Sequence, residues 1–203
     1  MGACGIMDMI ERKKRIMMMQ KSDALPSEYT KVAYIRNDGT QFINTDYIPH
    51  VAPLIKTRMR IDSNADRDCF GFINNVFPSF IVDCNNGTWY NRWGKTNYVS
   101  VNCYHYNEIH DWEFGQITKM DGNTFKEFED CDWSSNTQSM YLFRGRNVSL
   151  GLSIFNCQLY DGNTMVRNFI PCIRKSDNKP GMYDTVSKTF YTNAGTGEFI
   201  VPA

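Results

Sequence analysis

The chain has no net charge, no long apolar run and no close pair of cysteines, and each lack removes a class of protein. Its 22 Lys and Arg balance 22 Asp and Glu, so no global field draws it to nucleic acid or to an anionic membrane. No stretch approaches the ~20 apolar residues that a membrane helix requires, and membrane insertion is not expected. The seven cysteines (Cys4, Cys69, Cys84, Cys103, Cys131, Cys157, Cys172) never occur as Cys-x-x-Cys, the close pairing from which a structural zinc site is built. Their number is odd, and several lie in apolar runs such as SIFNCQLY around Cys157, where a thiol behaves as a small hydrophobe. They read as mostly reduced, which suits synthesis in a cytoplasm. The N-terminal MGACGIMDMIERKKRIMMMQ places its charges after a short apolar start, the reverse of a secretory signal. Ile6 stands where N-myristoylation prefers Ser or Thr.

A phosphate loop is also missing. Residues 181–199 read GMYDTVSKTFYTNAGTGEF, but no Lys-Ser/Thr follows the glycines, as phosphate binding would need. Met182, Tyr183, Thr185 and Val186 suit one strand, Thr189–Thr192 suit a second, and Ser187-Lys188 fits a two-residue reversal between them.

The sequence divides into two unequal parts. Over residues 1–22, Ile6, Met9, Ile10, Ile16 and Met17 recur at helical spacing around the basic run ERKKR. Alone in water such a helix is marginal; its Met-rich side needs the domain, a copy of itself or a larger assembly. Residues 21–27, KSDALPS, read as a linker, with Pro26 as a stop. From residue 28 to 203 no helical period is sustained. Period-two alternation replaces it: in IKTRMRID, Ile55, Thr57, Met59 and Ile61 share one face, and in LSIFNCQLY, Phe155, Cys157 and Leu159 alternate with Ile154, Asn156 and Gln158. Short runs of this kind are separated by Asp38-Gly39, Asn86-Gly87, Asp121-Gly122 and Asp161-Gly162, which favour tight turns. The expectation is one all-β domain, a sandwich or barrel of antiparallel strands. The aromatic content of 14% fits strands, or a surface that grips sugars or proteins.

Several constellations bear on chemistry. KEFEDCDW places Glu127, Glu129, Asp130 and Asp132 close together. Alternate carboxylates on a strand share a face, as a retaining glycosidase requires, yet charged residues after an Asp-Gly turn also mark a solvated edge strand, and that reading is preferred. DSNADRD (62–68) alternates oxygen-bearing side chains like a calcium loop, but Arg67 and Ile73 occupy the places of its Gly and bidentate Glu. Cys103, His105 and His110 in CYHYNEIH fit a hairpin tip better than a metal site. No cofactor or metal is expected. Binding remains: Trp89, Asn91 and Trp93 share a strand face in TWYNRWG, and Tyr98, Tyr104, Tyr106, Trp112 and Trp133 lie in or near polar, Asn-rich stretches. Rings that stack on sugars beside amides that read hydroxyls make Trp89, Asn91, Trp93, Tyr98, Tyr104, Tyr106 and Trp133 the candidate carbohydrate contacts; filling a sandwich core is the competing role for each.

Two stretches carry a family likeness. Arg167-x-Phe169-x-Pro171 followed by Tyr183-Asp184-x-x-Ser187 and Phe190-Tyr191-x-Asn193, together with the opening LPSEYTKVAYIRNDGTQFINTDYIP, resembles concanavalin A-like, LamG-type lectin/glucanase domains of gut-bacterial and phage structural proteins. The Met/Arg/Lys-rich leader is similar to that of small phage-encoded members. The resemblance implies a jelly-roll sandwich of two curved antiparallel sheets, with 181–199 as a closing hairpin and its return. The family's calcium ligands and catalytic carboxylates find no matching residues here. Arg167 and Asp184 lie in the most family-like stretches and are expected to form a structural ion pair or backbone clamp. The expected function is non-enzymatic: a virion-associated tail, head-fibre or decoration module, or a surface protein, that meets bacterial-surface glycans or partner subunits, the latter through residues 1–22. A purely structural assembly protein is the alternative, and a glycoside hydrolase using Glu127, Glu129 and Asp132 stands behind both.

Overall fold

The structure, a computed structural model, describes residues 25–62, 67–72, 78–85, 88–95, 99–101, 107–146 and 151–202. The predicted helix over 1–22, most of the calcium-like loop, and Tyr98, Cys103, Tyr104, His105 and Tyr106 lie outside the described residues.

Among the described residues the secondary structure is sixteen strands and no helix. The first eight are β1 (Tyr29–Lys31), β2 (Ile35–Arg36), β3 (Ile43–Asn44), β4 (Pro53–Ile61), β5 (Arg67–Phe72), β6 (Ser79–Asn85), β7 (Thr88–Gly94) and β8 (Val99–Val101). The remainder are β9 (His110–Phe114), β10 (Ile117–Met120), β11 (Asn123–Glu127), β12 (Tyr141–Leu142), β13 (Leu152–Asp161), β14 (Thr164–Arg174), β15 (Lys179–Asp184) and β16 (Thr189–Thr192). A ten-stranded sheet runs β11-β10-β9-β4-β13-β14-β15-β16, with β1 added to β14 and β2 to β13; a six-stranded sheet runs β3-β12-β5-β6-β7-β8. All these pairings are antiparallel.

The two sheets pack face to face over a core rich in rings. From β7, Trp89 meets Trp112 and Phe114 of β9 at 4.6 and 5.6 Å between centroids, and Phe70 of β5 lies 5.9 Å from Phe114. Such offset and tilted contacts stabilise beyond area burial. A polar tie also crosses the core, where Asn91 Nδ2 donates to Thr118 Oγ1 at 2.6 Å. This is the expected β-sandwich.

Strand β4 follows its alternation, with Pro53, Ile55, Thr57, Met59 and Ile61 buried. Strand β13 does not. Leu152, Ser153 and Ile154 are buried, and so are Cys157 and Leu159, because the register against β4 shifts between Ile154 and Asn156. This bulge adds one residue and reverses the phase, so Phe155 leaves the face of Cys157 and Leu159 that simple alternation gave it.

The β13–β14 hairpin opens into a fork. β13 pairs with β14 only over Cys157–Asp161, and beyond that point β2 continues along β13 while β1 continues along β14. Val32 N donates to Pro171 O at 3.1 Å and Lys175 N to Glu28 O at 2.9 Å, so the first described segment is stitched into the sheet. Tyr29 then lies 5.0 Å from Tyr183 and 5.2 Å from Phe190, and Cys172 opposite Lys31 is fully buried.

Two turns separate propensity from context. Asp121 and Gly122 join β10 to β11 with φ of 48° and 81°, the doubly positive geometry for which Asp-Gly is chosen. Between β15 and β16 the reversal spans four residues, Thr185–Lys188, instead of the expected two. The Asp184 carboxylate accepts from Val186 N at 3.0 Å and Ser187 N at 3.1 Å, which draws Thr185 and Val186 out of the strand and into the turn. The glycines beyond serve packing: a Cβ on Gly195 would overlap the Thr40 carbonyl oxygen.

Candidate functional site

The aromatic residues proposed for sugar contact are core residues. Trp89, Trp93 and Trp133 are 2%, 1% and 1% exposed and Asn91 is 3% exposed. The shared face of Trp89, Asn91 and Trp93 is real, but it is the inner face of β7. Trp93 packs on Trp133 at 4.8 Å and on Phe80 at 5.8 Å, and its indole N–H donates to the Glu129 carbonyl at 3.1 Å. A ring enclosed in this way has no face left for a sugar, so these four residues are corrected from ligand contacts to core. The physical reason is area: this face carries the larger apolar surface of the strand, and burying it is what holds the sheets together.

The acidic run is a solvated edge. Glu127 ends the outermost strand of its sheet, and Glu127, Glu129 and Asp132 are exposed while Phe128 between them is buried. Hydrogen bonds from the Ser134 backbone N–H and side chain hold the Asp132 carboxyl below the usual carboxylate range. A general acid needs the opposite displacement. His110 is held between Asp121, 2.7 Å from Nδ1, and Glu108, 3.2 Å from Nε2. Among the described residues no group of three or more His, Cys, Asp or Glu side chains is arranged to hold a metal ion.

Arg167 and Asp184 do meet. Arg167 Nε lies 3.6 Å from Asp184 Oδ2 and donates to the Thr45 carbonyl at 3.0 Å, while its guanidinium also reaches the Val166 carbonyl at 2.8 Å. Asp184 is fully buried and, besides the turn N–H groups, accepts from Asn168 N at 2.7 Å. Together they tie β14, β15 and the loop after β3.

The solvent face of the ten-stranded sheet holds a cleft of about 550 Å³, within the range of small-molecule sites. It crosses β9, β4, β13 and β14, a span of about 14 Å at ordinary strand spacing, and β1 borders it at the fork. Its central lining is Lys56, Phe155, Asn156, Gln158, Asn168 and Ile170. Phe155 is presented by the β13 bulge and rests 5.2 Å from the Tyr34 ring. The amides are pre-oriented by a chain of hydrogen bonds. Tyr160 OH donates to Gln158 Oε1 at 3.1 Å, Gln158 Nε2 to Asn168 Oδ1 at 3.3 Å, and Asn168 Nδ2 to Thr185 Oγ1 at 2.9 Å. Asn156 Oδ1 accepts from Arg58 N at 3.0 Å.

The charges at the β4/β9 side form a cross-strand ladder. Lys56 Nζ is 3.5 Å from Glu113 and Lys119 Nζ 3.9 Å from the same carboxylate, while Arg58 is 3.2 Å from Asp111. Each partner stands directly opposite in register, Lys56 to Glu113 and Arg58 to Asp111, the arrangement by which opposite charges support a strand pair. Asp111 and Glu113 are alternate carboxylates on one face, yet both are engaged by cations.

No protein-family model matches the chain. No curated protein matches it at a significant level. Among solved structures it is similar to a mutant of Trypanosoma rangeli sialidase displaying trans-sialidase activity, with 10% identity and a TM-score of 0.46 over 55% of this chain and 21% of that one. The match thus spans about a fifth of the sialidase chain, and the activity named is that protein's own.

The cleft residues escaped the sequence reading for two reasons. Lys56, Asn156, Gln158 and Asn168 sit on the polar side of their alternations, which reads as ordinary solvated surface. Simple alternation groups Phe155 with Cys157 and Leu159, because nothing in LSIFNCQLY announces the bulge. The available signal was the density of amides, since three of the outward residues on β13 and β14 are Asn or Gln.

Proposed function

We propose that the protein is a non-enzymatic recognition module that holds a saccharide of a bacterial surface in the cleft on its larger sheet. One observation supports this above others: the cleft combines a half-buried ring, Phe155, with an amide row whose orientation is fixed by internal hydrogen bonds. Ring faces suit the C–H side of a sugar, and pre-aimed amides suit its hydroxyls without an ordering cost at binding. The carboxylates in the cleft are tied into ion pairs, which leaves them as architecture rather than acid and base. The resemblance to lectin-like modules of phage and bacterial surface proteins points the same way. On this reading the leader over residues 1–22 attaches the module to a virion or surface assembly, and the chain works outside the cell that makes it.

The test is a glycan array followed by titration calorimetry. Phe155→Ala and Gln158→Ala should each abolish or strongly weaken binding while circular dichroism and melting stay close to the parent. An array that stays silent across bacterial polysaccharides, or binding that survives Phe155→Ala, would remove the proposal. A purely structural role has its own support in the sandwich end where Val51 and Ile117 are 48% and 37% exposed beside a second cleft of about 330 Å³. Subunit contacts at that end would be lost on Val51→Asp with sugar binding untouched.

A further inference from the structure

We infer that the saccharide taken by this cleft is anionic, and that Lys31 receives its charged substituent at the fork between β13 and β14. The inference rests on the recognition reading above and concerns which class of sugar the cleft selects. Four charged side chains line the cleft: Lys31, Lys56, Asp111 and Glu113. Three of them are compensated within the protein, Lys56 by Glu113 and Asp111 by Arg58. Each of those three has an opposite charge within ion-pair distance, and Glu113 is shared by Lys56 and Lys119. Lys31 is exposed and, among the described residues, has no ion-pair partner. Lys31 is therefore the one charged lining residue that no described counter-charge engages, and it lies at one end of the cleft.

The position of that charge is fixed by the fold. Lys31 belongs to β1, whose register places it opposite Cys172 of β14. The chain is pinned directly after it by Val32 N to Pro171 O at 3.1 Å. The backbone that carries the ammonium is therefore tethered to the sheet and not to a free loop, and Lys31 lines the cleft together with Ile170 and Phe155. A ligand whose rings lie over Phe155 and the amides reaches Lys31 with its next substituent. An ammonium is a compact point charge without the planar fork of arginine, so it accepts a carboxylate or a sulfate ester alike. Uronate and sulfated saccharides share that chemistry, while amino sugars in their cationic form are repelled.

The experiment uses the full chain and fluorescently labelled oligosaccharides of equal length: oligogalacturonate, sulfated oligogalactan and neutral oligogalactan. Affinities are read by anisotropy at low salt and at near-physiological salt. The expected result is that at least one anionic oligomer binds about fivefold tighter than the neutral one at low salt, the scale of an exposed ion pair. That advantage should shrink as salt rises, vanish in Lys31→Gln and persist in Lys31→Arg. Which anionic oligomer shows it identifies the substituent. Equal binding of charged and neutral oligomers, or a preference that survives Lys31→Gln, overturns the assignment of Lys31. In that case Phe155→Ala weakening all three oligomers would leave the cleft reading standing. If Phe155→Ala changes none of them, the cleft reading falls as well.

Discussion

Replacing Asp184 separates a buried acceptor from a mere surface charge. Its carboxylate has two distinct jobs: Oδ1 accepts from Asn168 N at 2.7 Å and Val186 N at 3.0 Å, while Oδ2 accepts from Ser187 N at 3.1 Å and faces Arg167 Nε at 3.6 Å. Asp184→Asn can keep the Oδ1 bonds, but it turns an amide NH₂ toward two donors. Asp184→Ala loses all four contacts. The Val186 and Ser187 N–H groups lie in an exposed turn and regain water, so each counts about 0.5 kcal/mol, while Asn168 N and the largely buried Arg167 count about 1.5 kcal/mol each. The expected losses are about 2 kcal/mol for Asn and about 4 kcal/mol for Ala, against a total stability of order 10 kcal/mol. With a urea slope near 2 kcal/mol/M, the midpoints fall by about 1 M and about 2 M. Arg167→Ala should lower the melting temperature and leave ligand binding per folded molecule unchanged, and combined with Asp184→Asn it should fall short of additivity by about 1 kcal/mol. Midpoints within about 0.2 M of the parent for both Asp184 variants would refute the clamp.

Three further outcomes follow from burial and charge. Trp93→Ala should cost about 3–5 kcal/mol, as removal of an enclosed ring does, whereas Phe155→Ala should cost under about 1.5 kcal/mol; urea melts that reverse this order would return Trp93 to the surface. Burial pushes the Cys157 thiol up, and the Cys172 thiol up to about 12, so both should stay unalkylated by iodoacetamide at neutral pH in the native protein, while Cys131, whose thiol burial also raises but which is partly exposed, reacts slowly; peptide mapping that finds Cys157 or Cys172 labelled without unfolding would contradict the packing. The hydrogen bonds from Arg174 hold the Asp177 carboxyl at about 2, down from 3.8. A depressed folded-state value stabilises above the unfolded one, so the modest destabilisation by Asp177→Asn should be present at neutral pH and disappear as pH falls from about 4 to about 2, read as converging melting temperatures.

The strands were legible wherever one face is apolar and the other charged. The alternation of β4 and the Asp121-Gly122 turn needed nothing beyond local chemistry, and the structure keeps both. Strand β15 shows the limit: Thr185 and Val186 have strand propensity, but the Asp184 carboxylate competes for their backbone and wins a turn. The candidate site was largely illegible. Its residues come from positions 31 to 171, on five strands and a turn, and long-range pairing alone makes them neighbours. Alternation alone puts Trp89, Asn91 and Trp93 on one face, but whether that face meets solvent or the second sheet is not written in TWYNRWG.

Local residue order determined that this chain forms pleated strands broken by tight turns, that its cysteines stand apart, and which side chains travel together on a strand. Those properties depend on neighbours within a few residues, through steric preference and period-two geometry. Only the tertiary structure decided which face of β7 is buried, where β13 bulges to turn Phe155 outward, and that Lys31 stands beside the cleft with no counter-charge among the described residues. Each of these depends on how much apolar area a second sheet can cover and which charges it brings opposite one another, and that sum is taken over the whole fold.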